Sequence, residues 1–402
     1  MIPASAPETK WVPGISILRC GILFVLLALT ACRPHDFPQY DAHYREYAYV
    51  TNGGSGTVSV YDVVNVRVDR EIPVGENPTA VVANPERNEV YVVNSGVTGA
   101  QGSIAVINSE NNSVAATIPV HKQPVAIAVK PNGDLAYVVN SGSNTISVLD
   151  LKTRHELAQI GVGEAPSAAR VSPDGKTLVV ANRGGNSVSI IDTKSRQIRA
   201  VLEGCPGAGD IVILPDSSKA FAACSGGHQV MAMQLAHEAR PDGRPATTDR
   251  LESLLDVGRA PVHLALKPDG GELFVSNSLS NSISEIVTST DDVGGAYLIG
   301  ADPVHGLVSA DNSLLYVSNL HSQELTVYSI EDGRRLGGPG IHVGDGPSAM
   351  AFSAAGHLLF VVDTRSSDVA VVRTQSKLPA MFTMLPAGRG PNAIAVKAFR
   401  VS

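Results

Sequence analysis

The chain has 402 residues, enough for a sizeable core and for more than one domain. Charged residues are 17% and aromatics 5%, while Gly (38) and Pro (25) are frequent, a composition of short strands joined by tight turns. A net charge of −7 argues against a nucleic-acid partner, and four cysteines without a CxxC pair argue against a zinc cluster.

In chain order, Lys10 and Arg19 precede an apolar run from Gly21 to Ala31, too short to span a bilayer as a helix but suited to the h-region of a secretory signal. The run ends Leu29-Thr30-Ala31-Cys32, which resembles the bacterial lipobox. That resemblance implies a signal peptide over 1–32, lipidation of Cys32 and a membrane partner through the lipid. Arg33, rather than Asp, follows the cysteine, which by the same resemblance favours the outer membrane over the inner one. Residues 33–46 are polar, contain Pro, and are expected to form a tether.

From Tyr47 onward a tetrad recurs: Tyr49-Val-Thr-Asn52, Tyr91-Val-Val-Asn94, Tyr137-Val-Val-Asn140, Val179-Val-Ala-Asn182, Phe221-Ala-Ala-Cys224, Phe274-Val-Ser-Asn277, Tyr316-Val-Ser-Asn319 and Phe360-Val-Val-Asp363. Most spacings are 42 residues. A turn such as Pro131-Asn-Gly or Pro268-Asp-Gly precedes the tetrad, and a short apolar strand precedes the turn. After the tetrad come a polar loop, a strand of alternating pattern, and a fourth strand ending in Gly-x-x-Pro, as in Gly75–Pro78 and Gly163–Pro166. Four short strands per unit of about 40 residues, repeated this often, predict a β-propeller. Eight tetrads predict eight blades of four antiparallel strands over residues 47–402. The orphan strand Ala393–Lys397 then completes the first blade and closes the ring, removing a free edge. The tetrad resembles the YVTN-type propeller repeat. The WD40 signature is missing. Insertions at Val97–Gly102 and 236–250 are expected to lengthen loops.

Aligning the units gives a column two residues past the Gly-x-x-Pro proline: Ala80, Ala126, Ala168, Asp210, His263, His305, Ala349, Ala393. Five blades use Ala, so the consecutive Asp210, His263 and His305 are the most informative departure and are expected at one sector of the channel mouth. Arg170 lies two residues along the strand from Ala168, and His228, His321, Arg183 and Arg365 fall in loops of the same face. A hydrogen-bonded packing network is weighed equally with a site. His35, His43, His155, His237 and His357 read as surface or tether residues, and the tetrad asparagines as turn-formers bonding their own backbone. Cys205 and Cys224 fall at the same end of antiparallel neighbours and are expected to form a disulfide in an oxidising compartment.

No nucleophile elbow or dinucleotide-binding motif is present, which favours a non-enzyme. The first functional reading is a binding or scaffold protein at the cell envelope, with an unknown protein or small-molecule partner on the channel-mouth face and Arg170, Asp210, His263, His305 and His321 as its contacts. The second follows from export, eight units and the 42-residue His263–His305 spacing, which resemble the haem-binding propeller of periplasmic nitrite reductase. That resemblance implies haem, with His263 and His305 as proton donors and catalytic candidates, and Arg170 for haem carboxylates. The sequence departs from it at Ala126, where the axial histidine is expected, with His121 five residues away. A related haem-maturation role is included. The third reading is a transition-metal site of Asp210, His263 and His305. Lactone hydrolysis, known among similar propellers, is the fourth.

Overall fold

The computed structural model describes residues 38, 40–238, 246–375 and 378–401. Cys32 and the signal-like run lie outside them. The chain divides into residues 1–42 and a compact unit, His43–Ser402; everything below concerns the second. It is an eight-bladed β-propeller of antiparallel four-stranded sheets.

Blade one pairs Tyr44–Asn52, Thr57–Asp62 and Arg67–Pro73 with the C-terminal strand Pro391–Arg400. The closing register runs from Tyr44 opposite Arg400 to Asn52 opposite Pro391. The first strand therefore begins inside the segment 33–46 expected to be a tether. Long-range contacts set this start: Glu46 is buried, its carboxylate accepting the Ala354 N–H at 2.6 Å and the Tyr44 hydroxyl at 2.7 Å. The other blades follow the repeat. In blade seven the fourth strand is interrupted, leaving Arg334–Arg335 and Ile341–His342 on either side of a Gly-rich segment.

The core lies between neighbouring sheets. One cluster joins Val179 and Ile190 of blade four to Ile211, Ala222 and Met231 of blade five. The tetrad strands are thus covered on both faces, which explains their unbroken apolar character. Tyr49, Tyr91, Tyr137, Phe221, Phe274, Tyr316 and Phe360 are essentially fully buried. Each contributes roughly 1.5–3 kcal/mol of burial.

The tetrad asparagines are core residues rather than turn-formers. Asn52, Asn140, Asn182 and Asn277 are fully buried and donate from Nδ2 to Ser59, Ser147, Ser189 and Ser284 on the next strand at 2.9–3.0 Å. Asn319 donates likewise to Thr326 at 2.9 Å. The same amides pack against the inter-blade glycines: a Cβ on Gly163 would stand 2.6 Å from Asn182 Cγ, and one on Gly75 2.7 Å from Asn94 Nδ2. Glycine in Gly-x-x-Pro is therefore required by close approach. Asp363 takes the asparagine place in blade eight, fully buried, accepting the Gly344 N–H at 3.0 Å.

Of the blade-five insertion 236–250, residues 239–245 lie outside the described set. Its far end docks: Asp249 accepts the Ala236 N–H at 2.7 Å and meets Arg199 at 2.8 Å.

Candidate functional site

The first strands of adjacent blades contact one another around the ring axis. The column lies at the start of these strands, at the end where the inter-blade loops and the loops after the tetrads emerge. Asp210 comes from Ala208–Ile213, His263 from Pro261–Leu266 and His305 from Pro303–Val308. The structure brings the three together. The His263 and His305 rings lie face to face, centroids 3.9 Å apart and tilted by 40°. His263 Nε2 is 3.5 Å from Asp210 Oδ2. Arg170, on Pro166–Val171, reaches Asp210 Oδ1 at 3.2 Å. A polar chain, Arg170–Asp210–His263–His305, thus crosses four blades.

Two members also stitch blades together. Asp210 Oδ2 accepts the Leu264 N–H of the next blade at 3.1 Å, and His263 Nδ1 accepts the Gly306 N–H at 3.2 Å. Both acceptors serve the residue three past the proline in the following blade. His263 Nδ1 is therefore unprotonated, and its proton sits on Nε2, towards Asp210. His305 ends the run with its Nδ1 buried and without a hydrogen-bond partner.

The Asp210 and His263 side chains are 13% and 16% exposed, whereas Arg170 is 50% exposed. Burial first, and the Arg170 charge second, lower the His263 pKa to about 3. Burial and then the neighbouring His263 hold His305 well below its ordinary value. Both imidazoles are neutral near pH 7, and Asp210 is the carboxylate facing Arg170. The arrangement sets one half-exposed guanidinium beside two buried, uncharged imidazoles, where the column elsewhere is Ala.

The other residues singled out from the sequence are spread around the same face. His321 pairs with Asp302 at 2.8 Å, Arg365 with Asp345 at 3.1 Å, and His228 Nδ1 accepts the Ala260 N–H at 3.2 Å. His121 sits on the fourth strand of blade two, its Nε2 3.2 Å from Glu156 of blade three, so it does not replace the missing histidine at Ala126. The residues present thus supply no axial histidine at that place in the channel. Among the described residues no group of three or more His, Cys, Asp or Glu side chains is arranged to hold a metal ion, the Asp210–His263–His305 trio included. His357 is buried rather than superficial, its Nδ1 3.3 Å from Ser353 Oγ.

Cys205 and Cys224 are bonded, with Cα atoms 4.8 Å apart and both residues fully buried. Cys224 stands where other blades carry Asn, and Cys205 lies in the inter-blade turn that leads to Asp210. The blade that departs at the column therefore also departs in how its turn is tied down.

The sequence places Arg183 on this face and does not single out Asp363. Arg183, on the loop after the blade-four tetrad, holds Nη2 3.7 Å from where a Cβ on Gly209 would stand. Asp363 has its pKa raised to about 8, chiefly by burial and then by the charge of Asp368 opposite it in the ladder. The signal for Asp363 was its departure from the asparagine column.

The family described as YNCE-like beta-propeller matches residues 114–398. No curated protein matches the sequence. Among solved structures, NirN, a dihydro-haem d1 dehydrogenase in complex with DHE, superposes with a TM-score of 0.67 at 14% identity, over 93% of this chain and 85% of that one. Hydrazine synthase of Kuenenia stuttgartiensis gives 0.55 at 20% identity, over 74% and 96%. A functionally unknown protein from Desulfotomaculum acetoxidans DSM 771 gives 0.56 at 14% identity, over 87% and 98%. At these identities the likeness is one of fold.

Proposed function

The chain belongs to the YNCE-like β-propeller family, and from that premise we propose that it is an exported binding or scaffold protein of the cell envelope. In this reading it is held at the membrane, the outer membrane where there are two, by lipid on Cys32. It takes its ligand or partner at the channel mouth. The observation that carries the reading is the chain Arg170–Asp210–His263–His305, placed where five of eight blades carry only Ala. Fold alone fixes no function, so the argument rests on this sector. A ring in which three successive blades interrupt a column of Ala with polar side chains is a preformed recognition surface.

Native mass spectrometry of the lipidated protein released from its membrane tests the reading. A diacylglyceryl mass on the mature N-terminus, together with a bound species lost in the His263→Ala/His305→Ala variant, supports it. An unmodified polypeptide whose channel-mouth amides exchange identically in the parent and the double variant, with no bound species, overturns it. Haem is the competing ligand class, favoured by the stacked histidine pair and disfavoured by Ala126. A Soret band on haem addition, lost in the double variant, would replace the scaffold reading.

A further inference from the structure

The channel mouth holds more positive charge than its stitching needs. The Asp210 carboxylate is already paired with Arg170, at 3.2 Å. One residue earlier stands Gly209, where the equivalent positions carry Thr79, Val125, Ser167, Val262, Val304, Ser348 and Asn392. Arg183 Nη2 lies beside it, 3.7 Å from where a Cβ would stand, an ordinary contact distance. Its guanidinium is exposed and has no hydrogen-bond or ion-pair partner among the described residues. Glu164, in the adjoining turn, packs its Cγ near Gly184 without pairing to Arg183. By contrast Arg365 and His321, on the same face, each have a carboxylate of their own. The Arg170 guanidinium thus lies at Asp210 and the unpaired Arg183 guanidinium at Gly209, beside two uncharged imidazoles.

We propose that the mouth binds a small ligand bearing an oxyanion, a carboxylate or a phosphate ester, with Arg183 as its principal charged contact and the exposed half of Arg170 as its second. The inference rests on the binding reading above and names its ligand class. A guanidinium presents a planar fork of donors that matches either oxyanion, and charge-assisted bonds of this kind are the strong ones.

Isothermal titration of the mature protein with inorganic phosphate and with citrate, at low ionic strength and against chloride, tests this. Binding at millimolar concentration or tighter is expected for one of them, and the stronger of the two identifies phosphate or carboxylate as the source. Arg183→Ala is expected to weaken it at least tenfold, Arg183→Lys less, and Arg389→Ala, on a distant blade of the same face, less than twofold. Failure of both anions to bind above chloride, or equal binding by Arg183→Ala, overturns the inference. If the species found by mass spectrometry depends on His263 and His305 but not on Arg183, the oxyanion assignment fails while the binding reading stands.

Discussion

Replacing Asp363 by Asn should stabilise the propeller, increasingly so as pH rises. The side chain is fully buried, accepts the Gly344 N–H, and lies across the ladder from a second carboxylate, Asp368. Its pKa is raised from 3.8 to about 8. The unfolded chain releases this proton above its ordinary pKa, whereas the folded chain keeps it, so stability is lost as pH rises from 3.8 through 8. At about 1.4 kcal/mol per pH unit the loss by pH 7 is at most about 4 kcal/mol. An amide has no such proton to retain, and its Nδ2 would face Asp368 as a donor at every pH, whereas the acid does so only while it keeps its proton. We expect Asp363→Asn to gain about 1–3 kcal/mol at pH 8 and less than about 0.5 kcal/mol at pH 4. Urea unfolding followed by far-ultraviolet circular dichroism at pH 4, 6 and 8 measures both proteins. Parallel pH profiles, or a less stable variant at pH 8, would refute the assignment of a protonated Asp363.

The double variant His263→Ala/His305→Ala is expected to stay within about 1.5 kcal/mol of the parent, the worth of the lost bond to the Gly306 N–H. A loss above about 3 kcal/mol in urea unfolding would make the pair a structural necessity. The same variant should flatten the acid limb of the stability curve: a His263 pKa lowered from 6.5 to about 3 gives stability that is full above 6.5 and lost as pH falls towards 3. An unchanged limb would mean that the ring is protonated in the folded protein. Cys205→Ala/Cys224→Ala should fold with a loss of about 2–4 kcal/mol, while Cys205→Gly/Cys224→Asn should lose about 1 kcal/mol more, because buried Met231 stands seven residues on, where Ser59, Ser147, Ser189 and Ser284 accept the amide in other blades. Equal losses would show that an amide at 224 finds another acceptor.

The blades were legible because the tetrad and the Gly-x-x-Pro turn recur at nearly constant spacing. The Asp210–His263–His305 sector was legible because Ala is the default in its column. What was not legible depends on direction in space. Asn52 and its equivalents end a strand, where Asn reads as a turn residue; only the hydroxyl seven positions on, as in Ser59, Ser147 and Ser189, records that the amide points inward. The start at Tyr44 depends on Arg400, a partner hundreds of residues away. Arg183 is one loop residue among several, and nothing local ties it to Gly209 in the next blade. His357 carries no mark distinguishing it from an exposed turn residue, because its burial comes from the blades around it.

Joining the ring through Tyr44–Asn52 and Pro391–Arg400 has a consequence for the order of assembly. While the rest of the chain is being made, the inner edge of the first strand stands open, and the sheet that contains it lacks one of its members. Blade one is finished by a segment made after the strands of every other blade, so the ring cannot lock until that segment arrives. Any shorter product keeps a ready template for pairing with another molecule. The last ten residues of the sheet thus decide between a closed wheel and a sticky crescent.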